Sequence, residues 1–240
     1  MNKRDFLRNA GLASLAAGFI PSSFSLGKTQ DNQACVLIPS ETAGPFPLDL
    51  TANNFYFRHD IREGRPGVPF KLKMKINGIG NCAPMENVRV NIWHCTRDGL
   101  YSGYDNNMNA GQAGLTYLRG YQFTDANGEV EFMTIFPGWY SGRITHIHFQ
   151  VYVSSAYAAI SQMTFDIATK NGIYEANSGL YPNGADPMTV SQDNVFSDGS
   201  SEQFCSLTPN SAIGGYDGYF EVGIQGNGTV GVGYMESQNL

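Results

Sequence analysis

Two histidines one residue apart, His146 and His148, lie in the stretch MTIFPGWYSGRITHIHFQVYV, from Met133 to Val153. The Ile, Phe, Val and Tyr around them predict a β-strand, in which residues i and i+2 point off the same face. Both imidazoles can therefore reach one metal ion. The chain has four histidines, His59, His94, His146 and His148. A buried imidazole needs partners for its polar nitrogens, so two on one apolar strand are better explained as ligands than as core.

Tyrosine is abundant near the pair: Tyr140 lies upstream in PGWYSGR and Tyr101 sits in an earlier turn, GLYSGYD. Phenolate is a hard, strongly donating anion that suits a ferric ion, whose charge acidifies a bound phenol. A zinc hydrolase would instead want a third histidine or a carboxylate, for which His94 and Asp125 are candidates. A cupin would carry an acid just after the pair and a later histidine, but FQVYVSSAYAAISQ has no acid and no histidine follows His148.

The elements that must position these residues read as strands. FKLKMKIN places Phe70, Leu72, Met74 and Ile76 inward and three lysines on a solvated face. VRVNIWHC, from Val88 to Cys95, is a further strand. YLRGYQFTDANGEVEFMTIFP reads as strand, turn at Asp125 to Gly128, and strand, because Asn-Gly is a strong hairpin signal. ISQMTFDIA, from Ile160 to Ala168, is another strand, followed by a long loop to about Ser201. The end of the chain suggests two short strands about a turn at Gly226 to Gly228. The segment CVLIPSETAGPFPLD is an extended arm, held open by Pro39, Pro45 and Pro47 around Gly44. Together these predict an all-β fold, an antiparallel β-sandwich with long irregular loops, over residues 35–240.

With 240 residues, 42% hydrophobic and 15% charged, the chain has enough apolar mass for one domain core. A formal net charge of −6 argues against nucleic acid as a partner. Residues 1–27 combine Lys3, Arg4 and Arg8 with an apolar run from Ala10 to Ile20. That is an export signal, too short for a permanent membrane span. Its Lys3-Arg4-x-Phe6-Leu7 order resembles a twin-arginine signal with lysine in the first place, so a periplasmic or extracellular location is expected. Residues 28–34 read as a polar leader. Cys35, Cys82, Cys95 and Cys205 are even in number in an exported chain, which predicts one or two disulfides; three complete pairings stay open, with free buried thiols as the alternative.

Taken together, CVLIPSETAGPFP, DIREGRPGVPFKL, VRVNIWHCTRDGLYSGYD, LRGYQFTDANGEVEFMTIFPGWYSGRITHIHFQV and ISQMTF resemble the intradiol ring-cleavage dioxygenases, the protocatechuate 3,4-dioxygenase branch and its exported single-domain relatives most of all. The resemblance implies a catechol-type substrate and O2 as co-substrate, cleaved to a cis,cis-muconate-type diacid. It implies Tyr101, Tyr140, His146 and His148 as the protein ligands of a non-haem Fe(III), with Tyr101 preferred to Tyr104 because it directly follows the Gly-x of the turn. Tyr140 is implied to leave the iron when substrate binds, Arg143 to stabilise charge on the bound catecholate, and Gln162 to line the same pocket. Trp93 and His94 match a structural WH dipeptide, and Trp139 a pocket wall or core. The long helical N-terminal segment of catechol 1,2-dioxygenases has no counterpart, and a homo- or hetero-oligomer stays open. Two readings from other classes compete: a transthyretin-like β-sandwich that binds ligand without chemistry, and the zinc-dependent hydrolase.

Overall fold

The computed structural model describes residues 35–50, 53–153 and 156–228; the expected export signal and leader lie outside the described residues. The elements in chain order are β1 (Pro69–Gly78), β2 (Ala83–Pro84), β3 (Arg89–Trp93), β4 (Arg119–Phe123), β5 (Glu129–Ile135), β6 (Ile147–Val153), β7 (Ala156–Met163), α1 (Ile167–Ala176), β8 (Ser206–Asn210) and β9 (Gly215–Ile224). They form two packed sheets, the all-β sandwich expected from the alternation. One sheet runs β2-β1-β9-β8 with β5 also paired to β1, and the other runs β4-β3-β6-β7.

β1 shows why the layers form. Phe70, Leu72, Met74 and Ile76 have no exposed surface, while the lysines between them face outward. Two of those lysines are ion-paired rather than merely solvated: Lys73 meets Glu129 at 2.9 Å, and Lys71 lies 3.8 Å from Glu131 and 3.6 Å from Asp217. Against the apolar face of β1 pack Val88, just before β3, Val90 and Ile92 of β3, and Ile147, Phe149 and Val151 of β6. Phe149 closes on Phe220 of the opposite sheet with ring centroids 5.5 Å apart. Burying a side chain of that size is worth about 1.5–3 kcal/mol, so this face fixes the register of β6 firmly.

Four expectations need correction. The pairing is not purely antiparallel, because β9 runs parallel to β1 from Phe70↔Tyr216 to Gly78↔Ile224. The turn at Asp125 to Gly128 forms, with Gly128 at φ 74° and Asp125 Oδ1 accepting from Asn127 and Glu129 N–H. It is a corner and not a hairpin, since β4 continues into one sheet and β5 into the other. The strand expected to reach Ala168 ends at Met163, and α1 begins at Ile167 because Asp166 caps it, its Oδ1 accepting from Thr169 N at 2.9 Å. At the C-terminal end, one ten-residue strand, β9, replaces the first of two short ones and pairs back to β8, and residues 229–240 lie outside the described residues.

The arm is extended as expected and ties the two sheets. Ile38 N donates to Gly223 O of the first sheet and Glu41 N to Ile160 O of the second. Its start is fastened by a Cys35–Cys82 disulfide. Cys95 and Cys205 are free and buried, so one bridge forms and not two. No helix among the described residues is long and apolar enough to cross a membrane.

Burial pushes the Cys95 thiol up to about 12 and the Cys205 thiol higher still, so neither reacts in the folded state. Thiol titration should therefore count none in the native protein, two after denaturation without reductant and four after reduction. Four thiols in unreduced, denatured protein would rule out the bridge.

Candidate metal centre

The register of β6 decides the site. With Ile147, Phe149 and Val151 committed to the core, His148 must face out of the sheet, and His146, just before the strand, shares that side. That side is nevertheless dry, with His146 and His148 only 2% and 1% exposed, because the arm and the segment after β3 cover it. A Cβ at Gly44 would stand 2.7 Å from His148 Cε1, so glycine, at φ 70°, lets the arm close over the imidazole. Across the sheet the pairing sets Arg119, Trp93, His148 and Gln162 in one row. Trp93 stacks flat on His148, with ring centroids 4.9 Å apart.

Tyr101 reaches the pair from the turn after β3. Leu100 N donates to Thr96 Oγ1 and Tyr101 N to Asn109 Oδ1, which bends the chain inward. Gly99, at φ 91°, permits the approach, since a Cβ there would meet Trp139 O at 2.7 Å. The turn thus packs directly on the segment that carries Tyr140. Tyr101 Oη lies 3.2 Å from His146 Nε2, which lies 3.1 Å from His148 Nε2. The Tyr140 ring stands edge-on to both Tyr101 and His146, at 5.9 and 5.6 Å, and its hydroxyl is buried without a hydrogen-bond partner. The four sequence-predicted donors are thus brought together. Tyr104 is not among them, because its hydroxyl donates to Pro47 O.

Burial, with Arg143 beside it, lowers the His146 pKa to about 3, and burial together with His146 holds His148 well below its ordinary value. Both are neutral imidazoles at pH 7. His146 Nδ1 lies 2.6 Å from Ile144 O and carries the proton for that bond, which leaves the Nε2 lone pair facing the other donors. Burial raises Tyr101 well above an ordinary phenol and Tyr140 to about 12, against the pull of Arg143. Without a cation, then, the cluster is uncharged.

Arg143 and Gln162 also join the site. Arg143 Nη2 donates to Gln162 Oε1 at 2.6 Å, and Gln162 Nε2 donates to Thr42 O of the arm at 2.9 Å. The zinc candidates do not join. His94 is buried with both ring nitrogens engaged, by Cys95 O at 2.8 Å and Thr134 Oγ1 at 2.7 Å, and Asp125 caps its own exposed turn. Among the described residues no three His, Cys, Asp or Glu side chains gather around one point. Trp139 donates to Gly184 O and packs on the core, a supporting role.

Sequence reading missed two groups. Arg119 is 1% exposed and forms no ion pair among the described residues. Its Nε and Nη2 donate to Ser102, and its guanidinium lies 6.0 Å from the Tyr101 ring. Asp193, also fully buried, accepts from Arg143 Nε at 2.9 Å. Neither carries a local signal: one is a strand residue between apolar neighbours, the other an acid in a polar loop.

No family model matches the sequence, and no curated protein matches it. Solved structures do. An intradiol ring-cleavage dioxygenase from Tetranychus urticae superposes with a TM-score of 0.71 at 27% identity, over 80% of this chain and 95% of that one. The fold is that of the intradiol ring-cleavage dioxygenases. The dioxygenase domain of a dioxygenase carbohydrate-binding protein fusion from Streptomyces sp. SirexAA-E matches with a TM-score of 0.54 at 21% identity, over 79% of this chain and 99% of that one. Catechol 1,2-dioxygenase from Acinetobacter sp. ADP1 matches with a TM-score of 0.51 at 19% identity, over 69% of this chain and 56% of that one. At those identities the last two speak for the dioxygenase fold alone.

The buried imidazoles make stability depend on pH. His94, depressed to about 4 by burial, and His146 and His148 bind protons more readily unfolded than folded. Stability is therefore full above about pH 6.5 and falls as pH drops towards the folded values, by about 1.4 kcal/mol per pH unit for each histidine. Urea melts of the metal-free protein between pH 6 and 5 should show a loss of roughly 4 kcal/mol per pH unit, reduced by about a third in a folded His94→Gln variant. A flat profile would contradict neutral burial.

Proposed function

We propose that the chain is a non-haem Fe(III) intradiol dioxygenase, of the protocatechuate 3,4-dioxygenase type, that opens a catechol-type ring between its two hydroxyl-bearing carbons. Both atoms of O2 enter the product, a cis,cis-muconate-type diacid. The observation that carries this reading is the gathering of Tyr101, Tyr140, His146 and His148 in one dry place: Tyr101 Oη, His146 Nε2 and His148 Nε2 converge, and the Tyr140 ring stands edge-on to Tyr101 and His146. That donor set fits a ferric ion: hard phenolates need high cation charge to ionise, and neutral imidazole accompanies them readily. The likeness to dioxygenases of known structure supports the same reaction.

Tyr101, Tyr140, His146 and His148 would hold the ion, which when bound supplies Lewis acidity towards both catechol oxygens and withdraws electron density from the ring. The chain's own residues do the rest. Tyr140, raised to about 12 by burial, is a strong base once ionised, and its Oη can take a catechol proton. Arg143 sets a fixed positive charge beside the anionic substrate, where burial makes it more effective than in water. Gln162 holds one edge of that guanidinium, and Trp93 fixes the plane of His148. The covering arm keeps bulk water away. We place the enzyme outside the cytoplasm, a reading supported by the Cys35–Cys82 disulfide and by the signal-like residues 1–27. Aromatics met there, such as plant or lignin-derived catechols, are the proposed substrates.

The purified protein should bind one iron per chain and be burgundy, from a broad visible phenolate-to-iron absorption. Tyr140→Phe should shift that band and cut turnover of a catechol panel by about a hundredfold or more. Colourless protein carrying zinc, or an unchanged spectrum in the variant, would contradict the assignment.

A further inference from the structure

Besides Arg143, the buried charged groups outside the proposed ligand set, among the described residues, are Arg119, the Lys170–Asp186 pair and Asp193. Asp193 touches the chemistry most directly. It sits in the segment between α1 and β8, which the sequence presents as a featureless polar loop. One of its oxygens, Oδ2, accepts from Arg143 Nε at 2.9 Å and from Ile144 N at 2.8 Å, and the other accepts from Val195 N at 2.9 Å. Burial works to neutralise the carboxyl, but the bonds from Arg143, Ile144 and Val195 outweigh it and keep it ionised.

We infer that Asp193 is a positioning residue that aims the Arg143 guanidinium at the substrate and fixes the backbone leading into His146. The inference rests on the function proposed above. An arginine side chain has four rotatable bonds and no preferred direction unless its forked N–H groups are matched. Here Asp193 takes Nε and Gln162 takes Nη2. Two anchors on one planar group fix its orientation, whereas Gln162 alone would leave it free to swing.

The same carboxylate oxygen that holds Arg143 holds Ile144 N, and Ile144 O in turn accepts from His146 Nδ1 at 2.6 Å. A second carboxylate from the same segment repeats the device one residue on. Asp186 Oδ2 accepts from Thr145 N at 2.8 Å and Thr145 Oγ1 at 2.9 Å, with Lys170 Nζ as its counter-ion at 2.5 Å. The N–H groups of Ile144 and Thr145 are thus both held by acids far away in sequence. Asp193 differs from Asp186 in being bonded to a side chain that the proposed reaction uses.

Asp193→Asn keeps the shape and one acceptor oxygen while removing the charge, so it separates aiming from folding. Kinetics of the iron-loaded wild type, Asp193→Asn, Arg143→Gln and the double variant form a cycle on catechol. The expected result is a fall in kcat of about 30-fold in Asp193→Asn with KM changed less than about threefold, and a double variant no slower than Arg143→Gln alone. Multiplicative losses, or wild-type kcat in Asp193→Asn, would overturn the inference. If the wild type turns over no catechol, the dioxygenase reading fails, and the positioning role is decided separately by NMR of the metal-free protein. There the Arg143 Nε–H should exchange slowly in the wild type and rapidly in Asp193→Asn, with the backbone spectrum otherwise kept. Equal protection in both proteins would overturn the inference.

Discussion

Two imidazole nitrogens 3.1 Å apart, neutral and shut off from water, are the constraint around which the rest of the molecule is arranged. Neither histidine can be charged there, because burial penalises the cation and each imidazolium would repel the other. Buried polar atoms cost free energy unless something answers them. For His146 the answers are Tyr101 Oη on one side and the carbonyl of Ile144 on the other, while the Tyr140 hydroxyl and His148 Nδ1 are left without a hydrogen bond among the described residues. A cluster with several lone pairs aimed at one another and an orphaned phenol is poorly satisfied by itself. The cation proposed above would answer these polar atoms better than the bonds they make to each other.

Holding such a cluster requires a rigid support that does not depend on it. β6 provides this because its other face carries Ile147, Phe149 and Val151 into the core, so a slip of one residue would exchange apolar for polar side chains along the whole strand. The neighbouring strands extend the support sideways through Trp93 and Gln162, which lie in register with His148. The cover is made from less regular pieces. The arm is tied at its start by a disulfide and, further along, by backbone bonds to each sheet, and its glycine closes over His148. Loops thus carry Tyr101, Tyr140, His146 and the cover, while the sandwich carries His148 and the geometry.

Much of this was legible in the sequence, where periodicity or spacing carried the information. The alternation of Phe70, Leu72, Met74 and Ile76 expresses a strand directly and appears as read, and the His-x-His spacing places both imidazoles on one side although β6 begins only at Ile147, after His146. What could not be read were relations between distant segments. The Asp125–Gly128 turn announces a reversal but not that its two strands enter different sheets. The parallel pairing of β1 with β9 leaves no local trace. α1 was hidden because its buried face includes Lys170, whose charge is answered only by Asp186 in the following loop. Asp193 and Arg119 escaped for the same reason, since a buried charge looks like a surface charge until its partners are known.

Charge also accounts for the choice of tyrosine as donor. The burial that keeps Tyr101 and Tyr140 protonated without a cation also strengthens their attraction to one, because the low local dielectric acts on both terms. Two ionised phenols would leave a divalent ion with no remaining charge to offer an anionic substrate, whereas a trivalent ion retains some. The surrounding arginines fit this arrangement. Arg143 has its charge balanced by Asp193, so in the proposed reaction it would direct a substrate without making the site strongly positive. Arg119 has no carboxylate among the described residues, lies beneath Tyr101 and is depressed to about 10 by burial, with the Tyr101 phenol acting to raise it again. A cation placed without an acid beside a phenol gains its counter-charge when that phenol ionises. In the proposed enzyme the metal-free protein would carry the cost of a buried arginine that the ionised site offsets, which would link filling the centre to stabilising the fold around it.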